Sequence, residues 1–238
     1  MKTCHILCVA LIYGIISCGP SKSEIEQRNK FVADSTARVD SIRKESLRIH
    51  YEKIEVGKQV KENYLKEILE LNKAEILKAE KKLRQINEFQ LGRSLSTKEQ
   101  QIADQRNRIS QLERLSSSIQ AEIAKTKLFE SHEFQSTPEG AVKHLFEASE
   151  SGNLSKLRNL IDPYGEFTKD VAQIGFIEIF PEDSRSKFRE MFKKGRIMGE
   201  PKVSNDTAEI EIAYGGSSNR LEVIKLVRRM GKWYFLDF

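Results

Sequence analysis

Few side chains in this 238-residue chain could do covalent or acid–base chemistry. Cysteine occurs at Cys4, Cys8 and Cys18 and nowhere after position 18. That distribution excludes a disulfide framework, a CxxC redox pair, a thiolate metal site and a cysteine nucleophile in everything that follows. Beyond the amino terminus the histidines are His50, His132 and His144. An imidazole can serve as base, nucleophile or metal ligand, but only with partners that position it. No HExxH, nucleophile elbow, phosphate-binding loop or GxGxxG accompanies them. His144 neighbours Lys143 and Glu147, on the helical face away from Leu145 and Phe146, and is expected to be exposed. The expectation is no catalytic set, no metal site and no cofactor.

The composition bounds what must hold these residues. Charged residues make up 32% and aromatics 8%, which is neither a membrane-embedded nor a fully disordered balance. The net charge of +5 is small for the length. It comes mostly from 23–130, where basic residues interleave with glutamate. Such a pattern reads as solvated helix faces, and no nucleic-acid partner is expected.

The amino terminus is of a different kind. Met1-Lys2 is followed by a nearly continuous apolar run from Ile6 to Ile16. Roughly a dozen residues cannot span a bilayer, which needs about 20, but they match a signal-peptide apolar region. The run closes on Ile15-Ile16-Ser17-Cys18, which resembles the lipobox of bacterial lipoproteins. The resemblance implies a signal peptide over 1–17, cut before Cys18, and fatty acyl chains of the palmitate type on Cys18. Residues 18–23 would then be a lipidated spacer and the membrane a partner. Gly19 stands where many inner-membrane lipoproteins carry Asp, so the outer rather than the inner membrane of the cell envelope is expected. Two or more acyl chains hold stably where one binds only reversibly.

Residues 24–130 form a helical, coiled-coil segment by pattern. They contain no proline, and glycine occurs only at Gly57 and Gly92. Leu65, Leu69, Asn72, Ile76, Ala79, Leu83 and Ile86 alternate steps of four and three. Ile102, Gln105, Ile109, Leu112, Ser116, Ile119 and Ile123 do the same, which is an a/d seam. Asn72, Gln105 and Ser116 would be polar seam positions. Gly92 can end one helix, and Ser96 with Glu99 can cap the next. This places a hairpin turn near 92–96 between antiparallel arms of about 45 Å at 1.5 Å per residue. Upstream, Ile25, Val32, Val39, Ile42, Ile49 and Val56 keep a weaker heptad. A change of register between Val60 and Leu65 predicts a break or stutter there. The hairpin could act as a spacer, bind a protein partner, self-associate, or pack on its own chain.

Residues 131–238 read as a separate α+β domain. Thr137-Pro138 can start a helix that Gly152-Asn153 ends. A short helix over 154–161 and another over 184–194 should follow, then strands at 196–203, 207–214, 221–229 and 233–238. The last two would join through a tight Gly231-Lys232 turn. The order resembles the NTF2-like (cystatin-related) cone, and more closely the NTF2-like domains of small bacterial lipoproteins. The resemblance rests on Thr137-Pro138-Glu139-Gly140-Ala141-Val142, Phe146-Glu147-Ala148 and Gly152-Asn153-Leu154. At the far end it rests on Asp206-Thr207-Ala208-Glu209-Ile210, Val223-Ile224-Lys225-Leu226-Val227 and Gly231-Lys232-Trp233-Tyr234.

It implies helices packed on a curved antiparallel sheet. Enzymes on that fold use an inward Asp or a His–Asp pair. Asp170, Asp206 and Asp237 are candidates here, each expected to be ordinary surface. Phe146, Phe167, Val171, Ile174, Phe176 and Ile177 could line a cavity for a small apolar ligand or simply fill the core. The reading is therefore a non-enzymatic, lipid-anchored envelope protein that presents an NTF2-like domain for protein interaction or assembly. A small-ligand module is the alternative, and an isomerase- or dehydratase-like enzyme a third.

Overall fold

The structure, a computed structural model, describes residues 21–88 and 95–238, for 95–96 the backbone only. The signal-peptide region, the lipid site Cys18, the Gly92 turn and the Ser96 side-chain cap lie outside the described residues. Among the described residues five α-helices come first: α1 (Lys22–Glu88), α2 (Leu95–Lys125), α3 (Pro138–Ser151), α4 (Lys169–Gly175) and α5 (Glu182–Phe192). Four strands follow: β1 (Arg196–Ser204), β2 (Thr207–Tyr214), β3 (Arg220–Arg229) and β4 (Lys232–Asp237). They form one antiparallel sheet in the order β1-β2-β3-β4. The class is α+β, as expected. Two compact units divide the chain, Met1–Tyr51 and Glu52–Phe238, so residues 52–130 share a unit with the 131–238 segment.

The described part of the first unit is helical. Ser21 and Glu24 cap each other: Glu24 N donates to Ser21 Oγ at 3.3 Å, and Ser21 N donates to Glu24 Oε2 at 2.7 Å. This satisfies two amides that a helix start leaves free. Ile25, Val32, Val39, Ile42 and Ile49 are all exposed.

The expected break between Val60 and Leu65 does not occur, because α1 is continuous from Lys22 to Glu88. Gly57, read as a possible helix end, lies inside it. A helix-interior glycine costs about 1 kcal/mol relative to alanine. Its use here is close approach: a Cβ at Gly57 would lie 1.9 Å from the Pro163 carbonyl oxygen. Gly165, at φ +85°, packs against the same turn: a Cβ added there would lie 3.0 Å from Val60 Cβ and 3.1 Å from Gly57 Cα.

Within the second unit α1 and α2 run antiparallel. Asn72 Nδ2 donates to Leu112 O at 2.7 Å and to Ser116 Oγ at 2.8 Å. Three residues further along α1, Glu75 pairs with Arg108 at 3.0 Å. Two of the polar seam positions, Asn72 and Ser116, thus satisfy each other. The third, Gln105, is buried with Oε1 unpartnered among the described residues. Leu65, Leu69 and Ile119 join one apolar cluster with Val142, Leu145 and Phe146 of α3 and with Ile210, Ile212, Ile224 and Leu226 of the sheet. Of the roles open to the hairpin, packing on its own chain is the one seen.

Around this core, α3 has the expected ends. Thr137 Oγ1 accepts from Gly140 N at 3.0 Å, and Gly152 closes the helix at φ +79°. The helix expected over 154–161 is only a 3-10 turn at Leu157–Leu160. The one expected over 184–194 is shifted to Glu182–Phe192, with Pro181 before its first turn and Glu182 and Asp183 in it, where carboxylates are favoured. Helix α4, unforeseen, is capped by Thr168.

In the edge strand β1, Gly199 (φ +73°) and Pro201 sit where the register slips between Met198 and Lys202. An edge bulge tolerates both residues. The β3–β4 turn is Met230-Gly231, one residue earlier than expected, with φ of 49° and 80°. Positive φ at both central residues is the type I′ geometry that matches strand twist.

Two outcomes follow. Gly57→Ala, which would stabilise an ordinary exposed helix, should destabilise this protein by roughly 2–4 kcal/mol in urea unfolding, because the added methyl collides with rigid backbone. Gln105→Leu should stabilise it by about 1 kcal/mol in the same assay, since it removes a buried acceptor left unpaired.

A polar cavity as the candidate functional site

The loop after the Leu157–Leu160 turn is built around a buried carboxylate. Asp162 has no exposed surface. Its Oδ2 accepts from Glu166 N at 3.0 Å and Tyr164 N at 3.2 Å, and its Oδ1 accepts from Arg229 Nε at 3.0 Å. Arg229 also pairs with Glu166 at 2.5 Å and lies over the Tyr164 ring, 4.4 Å from its centroid. Burial raises the Asp162 carboxyl above its ordinary range, more than the Arg229 bond and charge lower it. An Asp side chain bonding amides two and four residues on is a turn-forming device. The strand-end arginine ties that turn to the sheet. Ile161 adds a bridge to Phe235 in β4.

Where this loop meets α1 and the end of α2 lies a cavity of about 40 Å³. That is room for a few waters or a small ionic group, far below the 300–1,000 Å³ typical of drug-sized ligand sites. Its charged lining is Lys58, Lys61, Lys125 and Arg158 against Glu122 and Glu130, four cations to two carboxylates. Glu122 is nearly inaccessible, and burial raises its carboxyl despite Arg158 and Lys125. Arg158 is fully engaged: Nη1 bonds Glu122 at 2.7 Å, Nη2 pairs with Glu178, and Nε donates to Ser155 O at 2.9 Å. Lys58 pairs with Glu55 at 2.7 Å, and Lys125 lies 3.7 Å from Glu122.

Lys61 differs. Among the described residues its ammonium makes one hydrogen bond, to Ile161 O at 3.3 Å. Loss of water pulls it down to about 8, with Asp162 opposing. Larger recesses exist, about 330 Å³ between α2 and residues 178–185 and about 180 Å³ beside Gly152 and Arg189.

The residues singled out from the sequence lie elsewhere or play other parts. Phe146, Val171, Ile174, Phe176 and Ile177 are buried in the common apolar cluster, with Phe167 packed partly buried against it. Of these, Phe176 also reaches the cavity wall. Asp170 is exposed in the first turn of α4. Asp206 pairs with Arg228 at 2.9 Å and Asp237 with Lys225 at 3.0 Å, both near the surface.

His144 is not exposed as expected. It is half-buried and stacked on Phe134 at 3.7 Å, with Nε2 unpartnered among the described residues. Burial first, then Lys156 and His132, hold its imidazole at about 4, so it is neutral at pH 7. His132 also stacks on Phe134, 5.1 Å away, and accepts from the Asn159 amide at 2.7 Å. The described residues contain no group of three His, Cys, Asp or Glu placed to hold a metal.

Sequence reasoning missed Lys61, Glu122, Arg158, Asp162 and Arg229. The available signals were Gly57 within a helix-forming stretch and the turn-forming Asp162-Pro163-Tyr164-Gly165.

Against known proteins the chain stands apart: it matches no family model, no curated protein and no solved structure.

The buried ammonium has a measurable consequence. A base whose folded pKa is lowered to about 8 makes the protein more stable as pH rises from about 8 towards 10.5, because the unfolded chain binds the extra proton. Lys61→Met should therefore raise stability at pH 7 by something on the order of 2 kcal/mol and abolish that rise. Denaturant unfolding at pH 7 and pH 10 checks both.

Proposed function

We propose that this chain is a lipid-anchored protein of the bacterial cell envelope. It is non-enzymatic and presents an NTF2-like α+β domain for protein interaction or assembly. The observation that carries this is the short apolar run closing on Ile15-Ile16-Ser17-Cys18, with no cysteine after it. Two features support it. No helix of the described residues is long and apolar enough to cross a membrane, so a lipid on Cys18 would supply the attachment. The first unit shows solvent a row of apolar residues at coiled-coil spacing, Ile25, Val32, Val39, Ile42 and Ile49, which suits a helical partner. In this reading the spacer is the first unit, with about 45 Å of helix in its 30 residues from Lys22 to Tyr51. Residues 52–125 are part of what is presented. Gly19 favours the outer membrane by the same resemblance.

The NTF2-like assignment draws on α3 with its capped ends followed by the four-stranded antiparallel sheet. The α+β order is shared with many folds and by itself names no activity.

The test is metabolic labelling with palmitate, followed by membrane fractionation, of the full chain and of Cys18→Ser. The expected outcome is label and membrane recovery for the parent and loss of both for the variant. An unlabelled parent that fractionates as the variant does would remove the proposed location.

A further inference from the structure

We propose that the cavity beside Lys61 is a binding site for a short-chain carboxylate. The acid head sits on the Lys61 ammonium and the aliphatic tail runs out over Leu128 and Phe129. Neither the envelope location nor the interaction role requires this site.

An ammonium has three donors. Lys61 spends one of them on Ile161 O, and it has no carboxylate within ion-pair distance among the described residues. Every other cation of the lining has a carboxylate partner: Lys58 has Glu55, Lys125 has Glu122, and Arg158 has Glu122 and Glu178. A charge partly withdrawn from water without a counter-ion is costly, and an anion entering the cavity would supply one. With the other three cations paired, Lys61 is the lining charge left to a guest, which favours a negative one over a positive one.

The walls then select among anions. Ile54, Pro163, Phe176 and Tyr234 give an apolar side, and Leu128 and Phe129, both exposed, stand at the rim. A strongly hydrated oxyanion such as phosphate would lose water against these walls and gain little. A carboxylate fits about 40 Å³ as a head group and can bury methylenes on the rim side chains.

The groups that face Lys61 set the pH response. They are Lys58 on its own helix, Glu122, Lys125 and Glu130 from α2 and its continuation, and Arg158 and Asp162 from the loop. Glu122 and Asp162 are already engaged with arginines, and Lys61 is held below its ordinary range, at about 8.

The experiment is calorimetric titration of the full chain with acetate, butyrate and hexanoate, alongside inorganic phosphate and hexylammonium. Hexanoate should bind saturably with a dissociation constant on the order of 1 mM at pH 7. Each added methylene should tighten binding about two- to fourfold. Lys61→Met should weaken hexanoate at least tenfold while Lys202→Gln, exposed on β1 and outside the cavity, changes it little. Raising the pH of the unsubstituted protein from 7 to 9.5 should weaken it similarly, which tests the ammonium even if a variant fails to fold. The proposal is overturned if no carboxylate binds saturably, if phosphate or hexylammonium binds as well as hexanoate, or if neither Lys61→Met nor high pH weakens binding.

Discussion

One close approach organises the second unit: the backbone of Pro163 lying against α1 at Gly57. No side chain fits there, since a Cβ would come within 1.9 Å of the carbonyl oxygen. A loop can come that near a helix only if its own shape is held rigidly, and Asp162 does the holding. Its carboxylate takes two amides of the loop and the Arg229 guanidinium at once. A fully buried carboxylate survives only with such a set of donors. The helix, the loop and the end of β3 are thus joined by one backbone contact and one charged cluster, and the apolar cluster linking Leu65 and Ile119 to the sheet fills in beneath them.

The same contact explains the cavity. Bringing α1 against the loop brings Lys58 and Lys61 against Arg158, while α2 delivers Glu122 from the other side. Two acids serve Arg158, and one of them also faces Lys125. The acids are thereby used up on the side of α2 and the Leu157–Leu160 turn. Lys61, on the α1 side, is left with a carbonyl. The uneven distribution follows from which helix faces which loop, and it was invisible in the linear charge pattern, where Lys61-Glu62 looks like any other solvated pair.

Periodic features were legible in the sequence. The heptads of 65–86 and 102–123 gave antiparallel helices whose polar seam residues Asn72 and Ser116 meet, because seven-residue spacing constrains a helix face regardless of what covers it. The alternation in 207–214 gave β2 with Ala208, Ile210 and Ile212 inward. The caps at Thr137 and Gly152 were local chemistry and were read correctly. What failed was tertiary. Gly57 reads as a helix end when only its low propensity is weighed, and as a packing requirement once Pro163 lies beside it. His144 reads as exposed because its helical neighbours are charged, but Phe134, outside that helix, covers it. The Lys61 cavity assembles residues from α1, α2, a loop and β4, and no sequence period links them.

That contrast bears on what the site is for. A lysine side chain at a helix surface reaches water readily through its flexible stem, so one left partly buried beside a carbonyl is not a default of packing. A methionine or leucine would fill the same volume without charge and, on the energetics of burial, more stably. The neighbouring ion pairs do not depend on Lys61 for balance: removing it leaves Lys58, Lys125 and Arg158 each with its acid. The fold therefore does not need this charge, whereas it does need Gly57 and Asp162. A group that the architecture carries at a cost and does not use is where binding should be sought.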